Sequence, residues 1–223
     1  MVSARGMAKL PPAPILSRFG TARRQPEPVE SKLKHPVSQQ LHAYWNEQRG
    51  RRLAPERADI DPGAIRRVLG DSLVLSCEAE EPVFRLAGTR LCAVFGRELR
   101  DEPFTSIWDI DSAPCVRDVV GIVAEEGSGL VAAASATSGE DRDCNFEMLL
   151  LPLMHRGRLG LRFIGSIAPH GRRFWLGIWP AASLHLGTIR YIRPDADPAH
   201  PLRRGLPSIG RPRSLKVIEG GRP

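Results

Sequence analysis

The chain has 223 residues, 42% of them hydrophobic, and a formal net charge of +7, enough for one large or two small domains with a real core. No apolar run approaches the roughly 18 residues of a membrane-spanning helix. Pro11, Pro12 and Pro14 interrupt the apolar stretch near the N-terminus, which argues against a signal peptide and for a cytoplasmic protein.

The excess charge sits at the two ends. Residues 1–40 carry seven Lys/Arg against two Asp/Glu, and residues 193–223 carry seven against three. Residues 41–192 carry 18 against 20, so no nucleic-acid surface is expected of the folded part. Cys77, Cys92, Cys115 and Cys144 form no Cys-x-x-Cys pair. They read as small buried hydrophobes, and no metal site is expected.

Five prolines within residues 1–35 and six within 194–223 leave little room for regular elements. Residues 1–35 and 193–223 are read as disordered basic arms, and 36–192 as the folded domain. Val37, Leu41, Tyr44, Trp45 and Gln48 follow a helical period that ends near Gly50. Asp61 is placed to cap a second helix with Pro62 in its first turn, an apolar face of Ile65, Val68 and Leu69, and a stop at Gly70. Ser72–Glu78 and Val83–Ala87 read as a hairpin, with Phe84 and Leu86 expected on one face.

A short helix is expected over Thr89–Phe95 and a helical turn over Phe104–Trp108. A long helix follows Asp111-Ser112, with Pro114 in its first turn and a stripe of Val116, Val119, Val120 and Val123. Three strands follow: Gly129–Thr137, Asn145–Met154 and Leu159–Ile167. Phe146, Met148 and Leu150 are expected on one face of the second, and Leu159, Leu161 and Phe163 on one face of the third. Ser183–Ile192 reads as a further strand or an extended arm. Hairpin links between successive strands make the sheet antiparallel, and the fold class is α+β with five strands and flanking helices.

This order of elements, and the run Phe84-Arg85-Leu86-Ala87-Gly88-Thr89 followed by Phe95-Gly96-Arg97-Glu98-Leu99, resembles a PAS domain. Tyr44-Trp45 with Arg57-Ala58-Asp59-Ile60-Asp61-Pro62, then Arg85–Thr89, then Leu149-Leu150-Leu151-Pro152-Leu153 are similar to one PAS-like family of alphaproteobacteria. The resemblance covers about residues 41–168 and implies a sensory or protein-interaction module without catalytic activity. It brings no cofactor. The stretch Arg100–Phe104 lacks the cysteine of flavin-photosensing PAS domains, and residues 113–126 lack the axial histidine of haem-binding ones. His42, His155 and His170 read as surface or satisfied side chains.

No catalytic residues emerge. Gly127-Ser128-Gly129 is a turn and not a nucleophile elbow. The carboxylate pairs Asp59/Asp61 and Asp109/Asp111 read as helix caps, and Gly157–Gly160 as a hairpin turn. Arg49, Arg51 and Arg52 read as a solvated helix end. Phe84, Leu86, Phe104, Trp108, Val119, Met148, Leu150 and Phe163 line either a ligand pocket or an ordinary closed core, and both readings stay open. Leu41, Tyr44 and Trp45 either pair two copies or fold onto their own sheet. Arg85 and Arg162 are expected on the outer face of the sheet, where a partner or the Trp175–Trp179 segment could pack.

The expected function is a non-enzymatic signalling adaptor of bacteria. It would meet signalling proteins, form a homodimer and take a small apolar ligand. The chain shows no kinase, cyclase or DNA-binding output motif, so its signal is expected to leave by protein contact. The alternative is a nucleic-acid or anionic-surface binder acting through the basic arms.

Overall fold

The computed structural model describes residues 33–192 apart from 80, 138–142, 172–175 and 177. The elements are α1 (Pro36–Arg49), β1 (Ser72–Ser76), β2 (Val83–Ala87), α2 (Thr89–Phe95), α3 (Ser112–Glu126), β3 (Gly129–Thr137), β4 (Asp143–His155), β5 (Arg158–Pro169) and β6 (His185–Ile192). The strands form one antiparallel sheet in the order β2-β1-β5-β4-β3-β6. It has six strands and not the expected five, because Ser183–Ile192 resolves in favour of a strand that pairs with β3.

β4 sets the layering. Phe146, Met148 and Leu150 face an inner core shared with α2, α3 and the 3-10 turn Phe104–Ile107. Leu149, Leu151 and Leu153 face an outer core shared with α1 and residues 54–68. A strand apolar on both faces must be covered on both, and here it is.

Local chemistry explains the turns. Arg156 and Gly157 both have positive φ, at 52° and 73°, in the two-residue link between the paired His155 and Arg158. A primed hairpin turn requires that conformation at both positions. The Gly157–Gly160 run is therefore a hairpin, as its sequence suggests.

Two faces differ from expectation, and in both cases a bulge is the reason. Val74 pairs with Leu86 but Leu75 pairs with Phe84, which leaves Arg85 as an extra residue. Leu86 is thereby turned to the outer face, opposite Phe84, and is 41% exposed. In β5, Gly160 and Leu161 are extra between the pairs Met154–Leu159 and Leu153–Arg162, so Leu159 packs on the outer core and leaves Phe163 on the inner one.

The helix expected after Asp61 is also absent. Residues 62–68 form successive turns that end in a 3-10 turn, Leu69–Asp71. Asp61 Oδ1 accepts the Gly63 N–H at 2.9 Å, closing a local turn at the point where a helix would start. Asp109 and not Asp111 caps α3, accepting the Ser112 N–H at 3.1 Å.

The arms expected over 1–35 and 193–223 lie outside the described residues, except for the last three of the first. These belong to the fold. Leu33 is buried, and the N–H groups of Lys34 and His35 donate to the Glu147 carboxylate at 2.8 and 2.9 Å. Glu147 is itself only 3% exposed, so these two bonds satisfy a buried charge and fix where α1 begins.

Leu41 and Trp45 are 0% and 2% exposed against the chain's own sheet, and Trp45 Nε1–H donates to Pro152 O at 2.8 Å. They are core residues of the monomer and not free interface. Trp45→Ala should cost about 3–5 kcal/mol in urea denaturation, with no change in oligomeric mass.

Burial, joined by the neighbouring His170, lowers the His35 pKa from its ordinary value against the opposing pull of Glu147 and Asp71. A neutral ring suits the cap, because His35 Nδ1 accepts the Val37 N–H at 3.2 Å. The folded state binds fewer protons here than the unfolded chain. Its contribution is therefore present above the ordinary value of 6.5 and is lost as pH falls below it. Urea midpoints should drop between about pH 7 and pH 5, and His35→Asn, which keeps a capping acceptor, should flatten that drop.

Candidate functional site

The inner face brings together seven of the eight residues expected to line a pocket. Phe84, Phe104, Trp108, Met148, Leu150 and Phe163 are buried in one cluster, and Val119 packs half-buried against it. Phe104 meets Phe84 edge-on at 5.3 Å and Trp108 at 5.9 Å between ring centroids. These contacts fill the inner face with aromatic side chains. Leu86 is the exception, placed on the outer face by the Arg85 bulge.

The outer face carries a cavity of about 280 Å³ beside β1 and β2. Its floor is Val74, Leu86, Leu153 and Ile164, and its roof is Ile60, Pro62, Ile65 and Leu69 from the run of turns. Arg57, Gly70, Gly88 and Thr89 also line it.

Three anchors hold the roof at this height. The Tyr44 hydroxyl accepts the Asp61 N–H at 2.8 Å and donates to Asp59 O at 3.3 Å, which ties the roof to α1. The buried Asp71 carboxylate takes Arg90 Nε at 3.0 Å and Nη2 at 2.6 Å, and Arg90 Nη2 also donates to Arg67 O at 3.2 Å. Donating to the Asp71 carboxylate raises the Arg90 pKa further. At Gly88 the two segments touch backbone to backbone, since a Cβ there would collide with the carbonyl oxygens of Leu69 and Gly70.

A family model described as PAS domain matches residues 33–168. The chain belongs to the PAS domain family. Among solved structures, the PAS fold here is similar to the Rhodobacter sphaeroides LOV protein, with 16% identity over 52% of this chain and 71% of that one and a TM-score of 0.39. It is also similar to an RNA-binding Light-Oxygen-Voltage receptor, with 14% identity over 56% of this chain and a TM-score of 0.40. The match spans 36% of that receptor's length. Comparison with curated proteins gives no match.

PAS domains are non-catalytic sensory modules. The residues of this PAS domain do not fit a flavin adduct or an axially ligated haem. Arg100–Phe104 holds no cysteine, and α3 holds no histidine. Cys92 Sγ lies 3.4 Å from Glu98 Oε1, and its thiol is pushed up by burial. Burial pushes the Cys77 thiol up to about 12, far from a reactive thiolate. Among the described residues no group of three His, Cys, Asp or Glu could hold a metal ion, and no helix is long and apolar enough to cross a membrane.

The remaining candidates are exposed or half-buried side chains, each with a partner. Arg85 meets Asp101 at 3.2 Å and Arg162 meets Glu78 at 2.9 Å. Arg49 stacks over Trp45 at 5.5 Å, and Arg52 meets Asp59 at 2.7 Å. His155 lies 3.7 Å from Glu78, and the His170 ring lies 5.5 Å from that of His35. Residues 172–175 and 177 of the aromatic segment lie outside the described residues; Leu176 packs on the inner core, and Ile178 and Trp179 are exposed.

Sequence reasoning missed the cavity because it read residues 61–70 as a helix and placed Leu86 inside. The readable signal was Gly70 and Gly88, one on each of the two segments that approach closely. Asp71→Ala leaves the half-exposed Arg90 guanidinium with the Arg67 carbonyl and water alone and should cost about 1 kcal/mol, read from the urea midpoint.

Proposed function

We propose that this PAS domain is a sensory and protein-interaction module that holds a small apolar ligand in the cavity beneath residues 60–69. One observation carries the reading. The floor and roof are aliphatic, and the volume of about 280 Å³ approaches the lower end of the usual range for ligand sites. The inner face, by contrast, is packed with its own aromatic rings. A ligand on the outer face touches both the sheet and the turns that Tyr44 ties to α1. Occupancy can therefore bias the position of α1, and the signal leaves by contact with a partner protein.

Native mass spectrometry tests this. The purified protein should carry an excess mass that denaturation removes, and Leu86→Trp, a substitution at a half-exposed floor residue, should abolish it. A bare mass, or an excess unaffected by Leu86→Trp, defeats the reading and leaves a module that works by protein contact alone.

A further inference from the structure

The cavity lining is mostly aliphatic; its polar side chains are Arg57, Ser72 and Thr89, and the charged one is Arg57. Arg57 is exposed, and its guanidinium makes no hydrogen bond or ion pair among the described residues. The acids nearest to it in the chain are already engaged. Asp59 holds Arg52 at 2.7 Å and the Glu56 N–H at 2.9 Å. Asp61 holds the Gly63 N–H, and the Glu56 side chain accepts from the backbone of Asp59. Ser72 Oγ, also on the wall, is committed to Val68 O at 2.8 Å.

An arginine that borders apolar space with no carboxylate of its own is free to take one from a ligand. Its planar fork matches a carboxylate, while the wall matches hydrocarbon. We infer that the cavity takes a medium-chain amphiphile, with its hydrocarbon tail between floor and roof and its carboxylate on Arg57. This rests on the ligand reading given above. About 280 Å³ holds on the order of nine groups the size of a water molecule. A tail on the order of eight to ten carbons matches that volume.

Calorimetric titration of the full chain with decanoate and with 1-decanol tests the assignment, using wild type and Arg57→Gln with folding checked by circular dichroism. Arg57→Gln should weaken decanoate at least about tenfold and leave 1-decanol within about twofold. Equal decanoate affinity in the two proteins overturns the head-group assignment and leaves the cavity reading intact. An equal loss of both compounds overturns it too, because Arg57 then acts only as wall. If neither compound binds wild type the inference falls, and the cavity reading is decided separately by whether the purified protein carries a mass that Leu86→Trp loses.

Discussion

A strand with two apolar faces forces the architecture of this molecule. β4 sends Phe146, Met148 and Leu150 one way and Leu149, Leu151 and Leu153 the other. Exposing either row would cost roughly 1.5–3 kcal/mol for each large side chain, comparable in sum to the whole stability of a small domain. The inner row is covered by α2, α3 and the turn between them. The outer row needs α1 and the run of turns that follows it. The N-terminal segment is thus part of the domain, and it brings the two N–H groups that bond the buried Glu147 carboxylate.

The two layers are built differently. The inner one is regular helix and interlocking aromatic rings. Much of the outer one is chain with few hydrogen bonds of its own, held off the sheet by the Tyr44 hydroxyl, the Asp71–Arg90 pair and the Gly88 contact. A regular helix could settle its side chains into the sheet and close the gap. Turns pinned at a few points leave space, so the cavity lies under the turns and not under a helix.

Periodicity made most of the fold legible. The α1 and α3 stripes, the β2-to-α2 turn and the three-strand run all stand where their spacing places them, because each depends on a repeat that burial enforces. The misses have physical causes that a repeat does not record. A bulge at Arg85 or at Gly160–Leu161 changes which face follows without changing composition. Asp61, Pro62 and Gly63 suit a helix start and a run of turns equally well, and the Gly88 contact and the docking to α1 select the turns. The inner candidates were found as a set, since aromatic residues at strand spacing are visible. The cavity was not, since its walls come from segments joined only in three dimensions.

The strand order has a consequence for assembly. β3, β4 and β5 follow one another in the chain and pair in that order, so their pairing is local in the chain. β1 joins them only by pairing with β5, and Arg162 and Glu78, whose ion pair sits at the end of that seam, are 84 residues apart. Loop-closure entropy falls on this seam, and contacts of such separation are the slow ones in folding. β1 and β2 therefore join the rest of the sheet through one long-range strand pairing. The cavity spans that pairing, with Val74 and Leu86 on one side of it and Leu153 and Ile164 on the other.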